Sequence, residues 1–589
     1  MGQRKPLLAR LKKLGYVGGL GIFALPIPLA QAHGIKLPQT VQTSEQVLIA
    51  QAIPFILPPQ TPPPVPIPSP LPSPSLSAPD LPPAPSLPDL PETIIVREFR
   101  FVGNTAFSSA ELAEAIAAYR DRPLQFAELV AAETAITRYY AQAGYINSGA
   151  VIPAGQSFEP DNAVITIQII EGRLETINVS VEGKLDPNYI QSRLALAAAP
   201  PFNQNHLLEA LQLLQLNPLI QSIKAEISAG VSPEASILNV AVVEADTLQL
   251  QAFMDNGRVP SIGKVERGLR FSEGNLLGLG DAFTFDYANT NGSNALSSSY
   301  ILPINPENGT LKVSAQYNNT GIIEEPFNVL DITGNSLYVD FSYRQPVVQT
   351  PNQEIALGLT ASYSSSQTTL LGEGFPLSPG ANNDGQTRIA ALRFVQDWTT
   401  REASSVFSLR SQFSLGLGIL DANVNERPPD GRFFNWRGQA QYVQLLAPET
   451  LLVVRSAVQL STEPLVPLEQ ITLGGLNTVR GYRQDLLLTD NGIFASGEVR
   501  LPILRITEIN STLQLIPFVD FGVGWNDRDN PIPTTNPNTL VSVGLGLLWQ
   551  MGDRLTARLD WGLPLTEFQI QGNTLSQQSL YFSLNYNFF

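Results

Sequence analysis

The chain has 589 residues, yet it contains no cysteine, only two histidines and only 15% charged residues. Without cysteine it has neither a disulfide framework nor thiol chemistry. His33 and His206 have no obvious neighbours with which to form a metal site or a catalytic triad. No nucleotide-binding P-loop pattern occurs either. The sequence therefore predicts a protein that is not an enzyme and that carries no metal or cofactor.

Basic residues and long hydrophobic runs are also scarce. The 36 Lys and Arg against 52 Asp and Glu give a net charge of -16, which argues against nucleic acid as a partner. The one long apolar segment, Leu14–Leu29, follows a basic stretch and precedes the small-residue site Ala30–Ala32. Pro26 and Pro28 interrupt it, which makes an anchor helix the weaker alternative. We predict a signal peptide at residues 1–32 and export of the rest.

The region 247–589 alternates apolar and polar residues in the way that is typical of β-strands. Its alternating runs are roughly 9 to 13 residues long and are separated by Gly, Asn, Asp and Pro. In residues 433–445, for example, one face would carry Phe434, Trp436, Ala440 and Tyr442, and the other Asn435, Arg437, Gln439 and Gln441. Such a pattern places a polar face and an apolar face on opposite sides of one sheet.

Alternating strands occur both in soluble sandwiches and in membrane barrels, and strand length separates the two. Soluble strands average about five or six residues, whereas membrane strands need roughly 9 to 11 and enclose a polar lumen. The runs here fit the membrane case and number about sixteen, an even count as in single-chain bacterial barrels. The predicted fold class is therefore a transmembrane antiparallel β-barrel of about sixteen strands, preceded by two α/β modules.

Three segments precede the barrel. Residues 33–92 form a predicted periplasmic linker, because 17 of the 38 residues in 54–91 are proline, which favours extended polyproline II. Within this linker, residues 43–53 could form a short helix that plugs the pore, and a disordered spacer is the alternative. Residues 93–172 and 173–246 each have the order β-α-α-β-β, so they form an internal repeat of two small α/β modules.

The most informative motif is the sequence Val479-Arg480-Gly481-Tyr482. Its arginine is not required to turn a hairpin, so it indicates a loop tip that docks elsewhere and carries a charge there. The strand that includes Phe518 and Asp520 points both of these side chains toward the polar, lumenal face. We expect Arg480 to pair with Asp520, because a carboxylate satisfies a guanidinium through two hydrogen bonds. The pair could form a functional latch, or Arg480 could simply brace the barrel.

The ordered set of features resembles the two-partner secretion transporters. These form the haemolysin secretion/activation branch of the superfamily that also contains the outer-membrane barrel-assembly factors. Val479-Arg480-Gly481-Tyr482 is similar to the family's loop-six signature, and Phe518-Val519-Asp520 to the barrel-wall motif that receives it. The Asn275–Asp281 turn and the Glu171-Gly172 join also look like family sequence. The resemblance implies that the two modules are POTRA domains.

The resemblance further implies that an exoprotein crosses the outer membrane in unfolded form and is β-helical once it has folded. The POTRA modules would lie in the periplasm and bind the amino-terminal secretion domain of the exoprotein at a sheet edge. Our candidate edge is Gly149, Ala150, Val151 and Ile152. The barrel would work as a monomer in outer-membrane lipid. The main alternative is a barrel-assembly insertase, which typically carries more than two POTRA modules. A passive porin is a third reading, although porins lack tandem periplasmic modules.

Overall fold

The computed structural model describes residues 76–77, 93–157, 159–232, 234–568 and 574–589. The predicted signal peptide and the predicted plug helix at 43–53 lie outside the described residues. Of the predicted linker, the structure describes Leu76–Ser77, which forms strand β1.

The first α/β module is a four-stranded sheet covered by two helices, α1 and α2. Its elements are β2 (Ile94–Val102), α1 (Ser109–Ala115), β3 (Pro123–Leu124), α2 (Phe126–Gln142), β4 (Gly149–Val151) and β5 (Ala163–Ile170), and the sheet order is β3-β2-β5-β4. Helix α1 begins at a capping box, in which the hydroxyl of Ser108 accepts from the main chain of Glu111 and the carboxylate of Glu111 accepts in return. Leu129 and Ile136 of α2 and Ile165 of β5 lie in the core between the helices and the sheet.

Glu171, just after β5, joins three parts of the first module. Its carboxylate accepts hydrogen bonds from the main-chain N–H groups of Thr105 (2.7 Å) and Ala106 (2.8 Å), and from the hydroxyls of Thr105 and Tyr140, the latter at 3.0 Å. Burial raises the pKa of Glu171, but these hydrogen bonds outweigh burial and hold the pKa below its usual value. The ionised carboxylate therefore contributes to the stability of the module at neutral pH.

The second module repeats the same order of elements. They are β6 (Arg173–Glu182), α3 (Pro187–Ala197), α4 (Gln204–Gln215), β7 (Ile220–Ala229) and β8 (Ala235–Glu244). Its sheet has the order β1-β7-β8-β6, so the two linker residues of β1 belong to it. The prediction of polyproline II is therefore wrong for Leu76–Ser77. These residues lie in the proline-free stretch 75–78, where main-chain N–H groups remain available for a ladder.

No helix among the described residues is long and apolar enough to cross a membrane.

The remaining described residues form a closed barrel of sixteen antiparallel strands, which confirms the predicted fold class. Its strands are β9 (Gln249–Asp255), β10 (Glu266–Glu273), β11 (Ala282–Asn289), β12 (Ser293–Pro303), β13 (Thr310–Gly321), β14 (Thr333–Gln349), β15 (Gln353–Leu370), β17 (Gln386–Arg401), β18 (Ser405–Leu417), β19 (Phe434–Ala447), β20 (Thr450–Ser461), β23 (Asn491–Ile506), β24 (Ser511–Trp525), β25 (Thr539–Met551), β26 (Leu555–Pro564) and β27 (Leu580–Asn587). Pairing of β27 with β9 closes the cylinder. The two-residue strand β16 (Glu373–Gly374) extends the end of β15.

Strand lengths differ from the predicted 9 to 13 residues. Strand β15 has 18 residues and β14 has 17, whereas β9 has only 7. The prediction was wrong here because it considered only the thickness of the bilayer, and a barrel strand can continue beyond the membrane wherever its neighbour continues with it. The ladder between β14 and β15 continues as far as Thr333 and Thr369.

The two faces of the barrel wall follow the predicted alternation. In β24, Val519 and Phe521 point outward and are 51% and 38% exposed, whereas Phe518 and Asp520 point inward and are 5% and 0% exposed. The outward apolar side chains contact lipid, and the inward ones face the lumen. The sequence thus predicted correctly which residues of this strand could meet a loop inside the barrel.

The Asn275–Asp281 turn joins the barrel to the second module. Asn275 donates to Glu244 at the end of β8 (2.6 Å), and the main-chain carbonyl of Gly278 accepts from the N–H of Asp186 at the start of α3 (2.8 Å). Gly280 has φ +74°, and a Cβ atom there would lie 2.4 Å from the ring of Tyr189. The second module therefore contacts the barrel through this turn.

Candidate functional site

The segment 462–490, between β20 and β23, folds into the barrel and is called loop six below. It contains strands β21 (Ile471–Leu473) and β22 (Leu487–Thr489), which pair with each other. The cavity beside it is lined both by loop residues such as Asn477 and Gln484 and by residues of the opposite wall such as Arg270. Loop six therefore lies in the lumen and faces walls on more than one side.

Arg480, at the tip of loop six, is 1% exposed and contacts Asp520 through three hydrogen bonds. The main-chain N–H and the Nε atom both donate to Oδ2 of Asp520, at 3.0 and 2.8 Å, and Nη2 donates to Oδ1 at 2.8 Å. The guanidinium carbon lies 3.5 Å from the ring centre of Phe518. The bidentate geometry and the aromatic face beneath it are an arrangement that arginine provides and lysine does not.

Two further buried carboxylates complete the site, and the sequence interpretation missed both of them. Nη1 of Arg480 lies 3.1 Å from Oε2 of Glu498 on β23 and 3.6 Å from Oδ1 of Asp560 on β26. Arg558 bridges the same two carboxylates, at 2.8 Å to Glu498 and 2.6 Å to Asp560. The three carboxylates of Asp520, Glu498 and Asp560 are 0 to 2% exposed, so the arginines must neutralise them within the site.

A signal for these extra residues is present in the sequence. Glu498 and Arg500 alternate along the lumenal face of β23, as Arg558 and Asp560 do along β26. Opposite charges two residues apart on one face of a strand indicate a lumenal ion network. Which network Arg480 joins depends on the register of four strands, and the sequence does not supply that register.

The other three residues of the motif each fit a position on the wall. A Cβ atom on Gly522 would lie 2.7 Å from a methyl of Val479, and a Cβ atom on Gly562 would lie 2.6 Å from the main-chain nitrogen of Gly481. The hydroxyl of Tyr482 donates to the carbonyl of Val541 at 2.7 Å. Glycines on β24 and β26 thus provide the space into which the tip packs.

Loop six has a second ionic contact on a different wall of the barrel. Glu469 forms a bidentate pair with Arg393 on β17, at 2.7 and 3.0 Å, and its side chain is 7% exposed. Arg393 also donates to the hydroxyls of Ser362 and Ser414 on the neighbouring strands. Loop six therefore forms buried ion pairs with two different walls of the lumen.

The predicted substrate-binding edge, Gly149 to Ile152, includes the edge strand β4 of the first module. Its outward N–H groups are already bonded to helix α2. The N–H of Ala150 donates to the hydroxyl of Thr137 at 3.0 Å, and that of Ile152 donates to the carboxylate of Glu133 at 3.1 Å. These donors are therefore not available to an incoming strand unless the contacts with α2 break.

Taken together, a closed sixteen-stranded barrel, a buried charged loop in its lumen and two α/β modules before the first barrel strand define an outer-membrane protein transporter of the POTRA-barrel class. The profile described as "Haemolysin secretion/activation protein ShlB/FhaC/HecB" matches residues 234–548, and the profile "POTRA domain, ShlB-type" matches residues 94–172. The chain belongs to the haemolysin secretion/activation protein family. It is an outer-membrane transporter of two-partner secretion, and its POTRA region lies in the periplasm.

Individual relatives are distant but extend over most of the chain. The outer membrane transporter CdiB of Dickeya dadantii (strain 3937) is 21% identical over 431 residues, which is 69% of this chain and 73% of the relative. The heme/hemopexin transporter protein HuxB of Haemophilus influenzae (strain 86-028NP) is 21% identical over 460 residues, 74% of this chain and 77% of the relative. The solved structure of CdiB from Escherichia coli has a TM-score of 0.67 at 19% identity and covers 86% of this chain and 93% of that one. The resemblance predicted from the motifs is thereby confirmed.

Proposed function

We propose that loop six is a latch that occupies the lumen at rest and moves aside while an unfolded exoprotein passes through the barrel. The observation that carries this proposal is the burial of Arg480 among Asp520, Glu498 and Asp560 at the tip of a loop, not on the wall itself. A residue that only braced a barrel would be expected in a strand, where the ladder fixes its position. A charged loop tip, by contrast, can leave its contacts on the wall as a unit when the loop moves.

Movement of the latch requires that ionic contacts on different walls change together. The Arg480 contacts lie on β23, β24 and β26, whereas the Glu469 contact lies on β17. Each pair is buried, so breaking one leaves an uncompensated charge unless water or substrate enters at the same moment. The resting and exporting arrangements are therefore two distinct states, and substrate shifts their balance by interacting differently with each.

The exoprotein partner is expected to be β-helical and to enter through its amino-terminal secretion domain. A POTRA sheet edge can bind many extended sequences, because main-chain hydrogen bonds do not depend on side-chain identity. Folding of the exoprotein outside the cell buries apolar surface that is exposed during transit, and this burial would give the transport its direction. One chain forms a complete closed barrel, so we propose that it acts as a monomer.

Export is favoured over barrel assembly by two observations. The relatives reported above carry transporter names, and the described residues before the barrel contain two α/β modules. The deciding experiment is co-expression of the chain with a candidate exoprotein, followed by measurement of the exoprotein in the medium. Secretion that depends on the chain, with normal levels of other outer-membrane proteins, supports export. A general loss of outer-membrane proteins on depletion of the chain would support the insertase instead.

A further inference from the structure

Polar side chains line up on the outer face of the barrel wall between β10 and β14. Each lies directly opposite the next one in the ladder, so they form one continuous row across five neighbouring strands, which is called the polar row below. Its members are Arg267, Asn289, Asn294, Asn319 and Asn335. Because neighbouring strands lie about 4.8 Å apart, the row is roughly 19 Å long.

The polar row lies at the extracellular end of the wall, just beyond the band that faces lipid. Strand β9 begins on the periplasmic side, because it follows the second module directly, so Arg267 at the start of β10 lies near the opposite side. Two positions further into the wall, on the same outer face, the five strands carry the exposed residues Leu269, Tyr287, Leu296, Tyr317 and Leu337. Tyrosine is typical of the membrane–water interface. The polar row is therefore at the level of the lipid headgroups.

Hydrogen bonds inside the polar row occupy the acceptor atoms at its first end. The Oδ1 atom of Asn289 accepts from Nε and Nη2 of Arg267, at 3.2 and 3.0 Å. The Oδ1 atom of Asn294 accepts from Nδ2 of Asn289 at 2.9 Å and from the hydroxyl of Tyr287 at 3.0 Å. An arginine can only donate, so the carboxamide oxygen of Asn289 must face it.

The other end of the polar row has the same arrangement, and donor atoms are left over. The Oδ1 atom of Asn335 accepts from Nδ2 of Asn319 at 2.6 Å and from the hydroxyl of Tyr317 at 3.4 Å. Within the part of the chain that the structure describes, no atom accepts a hydrogen bond from Nη1 of Arg267 or from Nδ2 of Asn294 or Asn335. The row therefore presents N–H donors to whatever lies outside the wall.

The charge of the polar row is opposite to that of the whole chain. The chain carries a net charge of -16, yet the row contains an arginine, and neither the row nor the residues directly below it include a carboxylate. A positively charged surface with spare N–H donors favours ligands that offer phosphate or other acceptor oxygens. Below it, Leu269, Leu296 and Leu337 favour a ligand that also has an apolar part.

We infer that the polar row binds the headgroup of lipopolysaccharide, the phosphorylated glycolipid of the outer leaflet. The acyl chains contact the apolar outer wall below the row, which is already in lipid, and the phosphate and sugar oxygens accept from Arg267, Asn294 and Asn335. A free phosphate ion has no acyl chains and would lack the apolar contact. The inference concerns the outer wall alone and does not depend on loop six or on the export of an exoprotein.

Native mass spectrometry of the intact protein in detergent tests the inference, with purified lipid A, the acylated and phosphorylated disaccharide of lipopolysaccharide, as the probe. The row variant is Arg267→Leu with Asn294→Leu, which removes two donor side chains and leaves residues that suit a lipid-facing wall. The matched control, Arg528→Leu with Gln396→Leu, also removes one guanidinium and one carboxamide. Arg528 is 94% exposed in the loop after β24, and Gln396 lies on the outer face of β17, in its periplasmic half.

We expect the parent and the control to retain lipid A and the row variant to retain about ten-fold less, because it has lost the charge-assisted contact. An excess of inorganic phosphate should not displace lipid A from the parent. Phosphatidylglycerol, as a second lipid, should bind the parent and the row variant equally. Equal retention of lipid A by the parent and the row variant would overturn the inference, and so would its displacement by inorganic phosphate. Loss of phosphatidylglycerol to the same extent as lipid A would overturn the choice of lipopolysaccharide.

The far end of the polar row supplies a second variant, which keeps the test decisive if the first one does not fold. Asn319→Leu with Asn335→Leu removes the two carboxamides on β13 and β14 and leaves Arg267 in place. Resistance of the folded barrel to heat in detergent shows which variants have folded. We expect a smaller loss of lipid A than in the arginine variant, because no charge is removed. Full retention of lipid A by this folded variant would show that the row does not bind the headgroup.

Discussion

Replacing Arg480 with alanine is the most direct test of the proposed latch. The change removes both side-chain hydrogen bonds to Asp520 and the contact with Glu498, but it keeps the main-chain N–H that donates to Asp520. Asp520 is 0% exposed and would retain, besides that N–H, the hydroxyl of Ser496 at 2.6 Å. A buried carboxylate would thus lose its counter-ion.

The size of the effect follows from this burial. Removing one partner of a buried ion pair typically costs about 3 to 5 kcal/mol, because the remaining charge is uncompensated. This cost falls on the state in which the loop is seated, so the balance between seated and displaced loop shifts by roughly two to three and a half orders of magnitude. The barrel ladder does not include Arg480 and should still form.

We therefore expect Arg480→Ala to reach the outer membrane at normal levels and to secrete the co-expressed exoprotein about ten-fold less or worse. Export in the proposed mechanism uses both the seated and the displaced loop, and a loop that rarely returns to its seat cannot complete the exchange between them. The assay compares exoprotein in the medium with the amount of folded transporter in the membrane. The control is Arg528→Ala in the loop after β24, whose side chain is 94% exposed and which should secrete normally. Normal secretion by Arg480→Ala at a matched membrane level would refute the latch.

Three other changes test separate parts of the structure. Gly562→Ala places a methyl group against the nitrogen of Gly481, so secretion should fall as in the arginine variant, at an unchanged level of folded barrel. Glu469→Gln breaks the second contact of loop six and leaves Arg393 without its buried anion, so single-channel recordings should show more frequent opening than in the parent. Glu171→Gln should destabilise the first module by about 2 kcal/mol. Because the pKa of Glu171 is lowered in the folded state, its stabilisation is complete above about pH 4.3 and is lost as the pH falls through the lower folded-state pKa. Limited proteolysis of the intact chain from pH 7 down to about pH 3 would measure this loss in the parent and its absence in the glutamine variant.

The strand pattern was predictable because each barrel strand has one face in lipid and the other in water. Phe518 and Asp520 could be placed on the lumenal face from alternation alone, and the structure finds both of them in contact with Arg480. The capping box of Ser108 and Glu111 is likewise a local pattern, because its two residues lie within one turn of the same helix start. Features that depend on neighbours along the chain are thus accessible from sequence.

Features that depend on neighbours in space were not accessible. The hydrogen bonds of β4 to Thr137 and Glu133 could not be predicted, because they depend on how α2 packs against this edge. Pairing of Leu76–Ser77 with β7 joins segments about 150 residues apart, and the short stretch 75–78 between prolines carries no periodic signal. The second ionic contact of loop six was missed for the same reason, since Glu469 and Arg393 meet only after the loop has folded inward.

The additional carboxylates around Arg480 change the result expected when Arg480 and Asp520 are exchanged. If Arg480 and Asp520 formed an isolated pair, then Arg480→Asp with Asp520→Arg should restore the contact and secretion. In the structure, however, Arg480 also lies 3.1 Å from Glu498 and 3.6 Å from Asp560. An aspartate at position 480 would therefore lie beside two buried carboxylates, and repulsion would prevent it from occupying the seat of the arginine. We expect the exchanged variant to secrete no better than Arg480→Ala. Asp520→Asn, which keeps the shape and leaves Arg480 with two other anions, should secrete more than either. Near-normal secretion by the exchanged variant would show that the tip responds to Asp520 alone and that Glu498 and Asp560 do not contribute to its seat.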